Sequence, residues 1–157
     1  MRDPLPLLVA LHGLPRSGKS TISRKLSQEL GAPIVNQDSI RLALHGQVYA
    51  SSAEPMVKAI ARVMVESLFR TGHDVVILDE TNYSRAKRDS IKSDLWRTEF
   101  LCVPTDAKEC KKRAIATNQP WLLDVIDEMV SREEPLGEDE HHSPDCYCHM
   151  CISSQVC

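Results

Sequence analysis

"HGLPRSGKST", residues His12–Thr21, follows the apolar run Leu5–Leu11 and decides how the rest of the chain is read. It fits the pattern G-x-x-x-x-G-K-[ST] through Gly13, Gly18, Lys19 and Ser20. Glycines at this spacing let the backbone turn tightly and bring N–H groups against a polyanion, and a following helix aims its positive dipole end at the same place. Lys19 would reach the β- and γ-phosphates and the Ser20 hydroxyl would bind Mg²⁺. Pro15, Arg16, Ser17 and Thr21 complete the candidate nucleotide-binding loop. Such a loop needs a strand before it and a helix after it, and both are legible. The run before Gly13 reads as a buried parallel strand, and Ile22, Leu26 and Leu30 recur at helical spacing until Gly31 stops the helix.

The pattern continues outward. Residues 32–36 read as a second strand, followed by a helical or loop insert; Glu54–Arg70 carries a helical repeat closed by Thr71-Gly72. Val75–Leu78 is a third buried strand ending in Asp79, a basic helix is expected over about 85–97, and Phe100–Val103 is a fourth strand. A charged helix over about 106–116 and an amphipathic one over about 121–131 follow, separated by Asn118-Gln119-Pro120. Strands alternating with helices predict an α/β chain, a three-layer α/β/α sandwich around a mostly parallel sheet of four to five strands. Residues 1–135 would form this domain. A polar Cys/His-rich tail, 136–157, would lie outside it.

A chain of 157 residues suits one such domain. Its net charge of −3 excludes a surface covered in positive charge, so any nucleic-acid contact must come from a local patch. Aromatic residues make up only 4%, which disfavours extended single-strand binding by stacking. No apolar stretch is long enough to span a bilayer, and Met1-Arg2-Asp3-Pro4 opens no secretory signal, so a cytoplasmic protein without membrane partners is expected. Of six cysteines, Cys102 and Cys110 are isolated, while Cys146, Cys148, Cys151 and Cys157 crowd the tail beside His141, His142 and His149. That tail could hold one tetrahedral, structural Zn²⁺, or it could be a frayed, reduced, metal-free end. Nothing in the sequence sets an oligomeric state.

In parallel α/β sheets, ligands sit beyond the carboxyl ends of the strands. That rule selects Asn36–Arg41 after the second strand, where Asp38 and Arg41 share a helical face. A carboxylate there could take the proton of an attacking hydroxyl, and the arginine could grip an anionic group on the acceptor; the plainer alternative is that Asp38 merely caps a helix. It also selects Asp79, expected to orient Mg²⁺ alongside Ser20 through water, and Glu80 next to it. Beyond them Thr81-Asn82 leads to Arg85, Arg88 and Lys92, a basic face near the expected site. Finally, Lys111-Lys112-Arg113 lies on a helix that could close over ATP.

With these places in view, the chain resembles the P-loop kinase family that includes the kinase domain of phage polynucleotide 5′-hydroxyl kinase. The likeness runs from about Leu7 to Pro135 and rests on Gly13–Thr21, Asn36–Arg41, Leu78–Asn82 with Arg88, and Glu109–Arg113. It implies a P-loop NTPase fold, ATP and Mg²⁺ as nucleotide and cofactor, Asp38 as general base and Arg41 as ligand of the acceptor's phosphate. It further implies Asp79 as an acid near metal or acceptor, and Arg113 as a lid residue on ATP. Asn82, Arg85 and Arg88 are the remaining acceptor-side candidates. Where the family commonly has a second lid arginine about a turn after Arg113, this chain reads Ala114–Asn118, leaving Lys111 or Lys112 as the substitute. The expected reaction is transfer of the γ-phosphate to a hydroxyl, of a polynucleotide 5′ end or of a nucleoside or modified base. The alternatives are an ATPase in which Glu80 activates water and a kinase of a small metabolite or antibiotic.

Overall fold

Strand β1 (Leu7–His12) places Leu8 and Ala10 in one apolar core and Val9 and Leu11 in another. This is the period-two pattern of a strand buried on both faces. β3 (Val75–Asp79) divides the same way, with Val76 and Leu78 on one side and Ile77 on the other, and so does β4 (Arg97–Cys102), with Phe100 against Leu101. The computed structural model describes residues 4–47 and 51–143. With β2 (Ile34–Asn36) and β5 (His141–His142) the strands form a five-stranded sheet in the order β2-β3-β1-β4-β5, and every pairing is parallel.

Helices cover both faces, as parallel pairing requires. α1 (Lys19–Leu30) packs Leu26 and Ile22 on the Val9 side. α3 (Glu54–Arg70) packs Val57, Ala61 and Val65 on the Leu8 side, with Ile40 of α2 (Gln37–His45) beside it. α5 (Ala107–Ala116) and α6 (Leu122–Ser131) make a helical hairpin with its own core of Cys110, Ala114, Leu122 and Ile126, closed on the loop after β1 by Leu14. The carboxyl ends of the strands are level: Asn36 lies opposite Asp79, and His12 opposite Cys102.

Several sequence expectations change, and the strand expected over Phe100–Val103 begins three residues earlier, at Arg97. The helix expected over 85–97 stops early: α4 spans Arg85–Ile91, because the chain turns to bury Trp96 before β4 begins. Trp96 packs on Phe69 with ring centroids 5.5 Å apart and donates its indole N–H to Ile91 O. β2 is shorter than expected, since Ala32 belongs to the turn that ends α1 and donates its N–H to Ser27 O.

The boundary expected after Pro135 does not divide the structure. Leu136 is buried in the main core, Glu140 is buried, and His141–His142 adds an edge strand to β4. The clamp is Arg88, which is fully buried. Its Nε donates to both carboxylate oxygens of Glu140 at 3.0 Å, its Nη1 to Asn82 O and Glu134 O, and its Nη2 to Pro135 O. The cysteines 146, 148, 151 and 157 proposed for zinc lie outside the described residues. Among the described residues no group of three or more His, Cys, Asp or Glu side chains could hold a metal ion. No described helix is long and apolar enough to cross a membrane.

Removing one partner of a buried ion pair strands the other charge in the interior. Arg88→Met is therefore expected to destabilise the fold by about 3–5 kcal/mol, and Arg88→Met with Glu140→Leu to recover part of that loss. Urea midpoints of the two variants decide it: equal losses would remove the pair as the clamp.

Candidate active site

The loop between β1 and α1 has this shape because its backbone leaves no room for side chains at one point and turns left-handed at two. A Cβ on Gly13 would meet Val103 O at 2.9 Å and Ser17 Oγ at 3.0 Å. Gly18, the N-cap of α1, has φ 103°, and Arg16 has φ 64°. From the other side, Thr105 Oγ donates to Ser17 O at 2.7 Å, and Arg113 Nη1 reaches Arg16 O and Ser17 O at 3.3 Å each. Arg113 thus sits on the loop, oriented by Glu109 at 3.0 Å. Lys111 pairs with Asp127 of α6, and neither it nor Lys112 lines the cleft.

Lys19 is buried with 8% exposure and donates to Leu14 O and, at 3.4 Å, to Ser17 Oγ. Burial lowers its pKa to about 8 against the opposing pull of Asp79. Among the described residues the ammonium donates only to neutral oxygens of its own loop, an arrangement suited to receiving an anion. Asp79 is also buried, and Ser23 Oγ and Asn36 Nδ2 both donate to its Oδ2, at 3.2 and 3.0 Å. Asp79 and the exposed Ser20 both line the cleft at the carboxyl end of the sheet. A hydroxyl and a carboxylate oxygen suit Mg²⁺, which keeps most of its waters.

Asn36 does two things at once. Its Nδ2 holds Asp79, while its Oδ1 accepts from Ser39 N at 2.8 Å and caps α2. Asp38 is therefore not the cap; it lies in the first turn, half open to solvent, and accepts from Arg41 Nη1 at 2.7 Å. Arg41 is fixed by a second carboxylate that the sequence did not flag. Glu54, at the start of α3, accepts from Nε at 2.7 Å and from Nη2 at 2.9 Å. Gln37 extends the network: its Oε1 accepts from Arg41 at 3.2 Å and its Nε2 donates to Glu80 at 2.8 Å. Burial raises the Glu80 pKa, opposed by Lys87, whose Nζ stands 3.7 Å away.

Pro15, Arg16, Gly18–Thr21, Asp38, Arg41, Asp79 and Arg113 line one cleft of about 660 Å³ at the carboxyl end of the sheet. Arg24, Gln37, Glu54 and Lys87 join them, as do Trp121, Val125 and Met129 of the helical hairpin. The basic face does not join them. Arg85 is bound to Asp139 and Asp89, Lys92 to Asp89 and Glu140, and Arg88 has its donors committed to the chain's own 134–140 segment. Asn82 is fully buried at φ 47°, donating to Leu11 O and ordering the turn behind the loop. The readable signal was the acidic run Glu138-Asp139-Glu140, whose charge matches that face.

A sequence profile described as an AAA domain matches residues 8–136. The chain belongs to this family of P-loop kinases. This kinase is 25% identical to a shikimate kinase of Salinibacter ruber over 165 aligned residues, covering 90% of the chain and 78% of that relative. Among solved structures, a chain of the Pnkp1/Rnl/Hen1 complex is 27% identical with a TM-score of 0.63. That likeness covers 72% of this chain and 40% of the other, so the kinase spans about two fifths of that protein. An APS kinase, CysC of Mycobacterium tuberculosis, solved with AMPPNP and APS, shares the fold at TM-score 0.64 and 17% identity, with 91% of each chain covered.

The buried lysine sets a pH dependence. Free Lys19 loses its proton as pH rises through about 8, whereas an unfolded lysine holds it to 10.5. The unfolded chain binds more protons in that interval, so the Lys19 contribution to stability rises with pH there. Polyphosphate binding favours the charged form, so ATP affinity should fall above about pH 8 and binding there should take up a proton. Calorimetry in buffers of different ionisation enthalpy measures that uptake; proton-neutral binding near pH 9 (roughly mid-interval) would contradict it.

Proposed function

We propose that the chain transfers the γ-phosphate of ATP to the hydroxyl of an anionic acceptor, with Asp38 as general base. The observation that carries this reading is the Asp38–Arg41–Glu54 arrangement, which holds a carboxylate and a guanidinium at the rim of the cleft that contains Lys19. A nucleotide-hydrolysing site needs no such pair; an acceptor site does. Asp38 accepts the hydroxyl proton as the acceptor oxygen bonds to the γ-phosphorus and the bond from phosphorus to the bridging oxygen breaks. Lys19 and Arg113 meet the charge that spreads over the transferring group. Ser20 and Asp79 would hold Mg²⁺, which supplies neutralisation of phosphate charge.

Arg41 binds the acceptor's own anion. Glu54 takes two of its N–H groups, which fixes the plane of the guanidinium, Asp38 ties a third and Gln37 a fourth, leaving one N–H of Nη1 for the anion. Recognition is thus local and does not draw on the basic face, which is neutralised within the chain. Among hydroxyl acceptors we favour a nucleic-acid 5′ end or a nucleoside-like hydroxyl, supported by the 27% identity to a chain of the Pnkp1/Rnl/Hen1 complex. Glu80 is a poor candidate for activating water because Gln37 and Lys87 already occupy its carboxylate.

Asp38→Asn should leave ATP affinity within about twofold and lower transfer by roughly 10²–10⁴. Labelled γ-phosphate is offered to 5′-hydroxyl DNA and RNA, nucleosides, hydroxymethylated-base DNA, small hydroxy acids and water. Unchanged transfer in the variant would end the general-base assignment. Phosphate release without any labelled acceptor, lost in Glu80→Gln, would replace the kinase reading by an ATPase.

A further inference from the structure

A second space adjoins the cleft. It lies between α3 and α4 over β1 and β3, has a volume of about 190 Å³, and is lined by Leu8, Ala61, Val65, Leu78, Ile91 and Trp96. Its lining is mostly apolar, and Trp96 is 97% buried (3% exposed) in the surrounding core. Gln37, Glu80 and Lys87 line both spaces, so the pocket and the cleft meet at these three side chains, next to Asp38. Across the pocket Arg62 of α3 donates to Ser90 O of α4 at 2.8 Å, its guanidinium 5.4 Å from the centre of the Trp96 ring. Lys58 adds a further cation to the lining.

Apolar cavities of roughly 150 Å³ accept a benzene-sized ring. Here such a cavity has an indole beside it, cations along its lining and a hydrogen-bonding amide and carboxyl at its junction with the cleft. Aliphatic walls would reward burial of ring faces, Trp96 and Arg62 would reward a π system, and Lys58 and Lys87 would reward an anion nearby. A ringless sugar acid would leave these walls empty.

We propose that this pocket is a ring-binding subsite for the acceptor: it takes a planar, uncharged, nucleobase-sized ring, placing the attached hydroxyl at Asp38. The inference deepens the kinase reading and rests on it. It narrows the acceptor to a nucleoside or nucleotide unit, free or at the end of a nucleic acid. It also gives Gln37 a second task, since the side chain that contacts Arg41 on one side borders the ring on the other.

The test uses Trp121→Phe, which leaves Trp96 as the one tryptophan. Thymidine 3′-monophosphate, which keeps its 5′-hydroxyl, is titrated against Trp96 fluorescence; glycerol 3-phosphate, with anion and hydroxyl but no ring, is the control. A saturable response to the nucleotide alone is expected. Ala59→Leu and Ser90→Phe, two exposed positions that line the pocket from α3 and α4, should each weaken it at least about tenfold while ATP binding stays unchanged. No Trp96 response, a response undiminished by both filling variants, or equal binding of the ringless control would overturn the subsite. Transfer of labelled γ-phosphate is scored separately. A ring-dependent response without transfer to the nucleotide or to any other hydroxyl of the panel would sink the kinase reading and keep the pocket, whereas undiminished labelling of glycerol 3-phosphate in the filled variants would do the reverse.

Discussion

Everything at the site hangs on one register. Asn36 and Asp79 end two parallel strands opposite each other, and the Asn36 side chain spans from the Asp79 carboxylate to the first turn of α2. That single amide sets the buried acid at the end of β3 relative to the helix that carries Asp38 and Arg41. A slip of one residue would send Asp79 to the opposite face of the sheet and leave the cap of α2 without its link. The buried, two-sided strands exclude such a slip, because each residue in Val75–Leu78 belongs to one of two apolar cores.

Charge in this protein is arranged in closed groups. Arg88 spends its guanidinium on Glu140 and three backbone carbonyls, which fastens the segment after α6 into the fold and lets β5 pair with β4. Arg85 and Lys92 are absorbed by the same acidic segment. Arg41, by contrast, is held by two carboxylates at the edge of the cleft, with Asp38 60% exposed. The Arg88–Glu140 pair has no exposed side-chain surface whereas Asp38 is open to the cleft, and that difference separates a structural clamp from an ion pair at a site's edge.

The phosphate loop carries stored cost. Lys19 is desolvated, its pKa falls to about 8, and Gly13 is pressed against the backbone of the segment after β4. The desolvated ammonium is unfavourable for the isolated fold and is relieved when a polyphosphate arrives, while the close backbone approach, which a glycine makes without a clash, forms the cradle. Arg113 reaches the same loop and ties α5 to it.

What the sequence determined by itself was whatever depends on local pattern. The phosphate loop, the buried apolar strands, α3 and the shared face of Asp38 and Arg41 all follow from local pattern along the chain, since apolar runs, backbone periodicity and glycine geometry act within a few residues. What only the tertiary structure decided was pairing at long range. Glu54 beside Arg41, Gln37 between Arg41 and Glu80, and the pocket around Trp96 arise where α2, α3 and α4 meet the sheet, and no local signal links residues that far apart. The same holds for Arg85, Arg88 and Lys92. Their helical spacing marked a basic face, but whether that face meets a ligand or the chain's own acids depends on where residues 134–140 return. The burial of Arg88 beside Glu140 gives that answer.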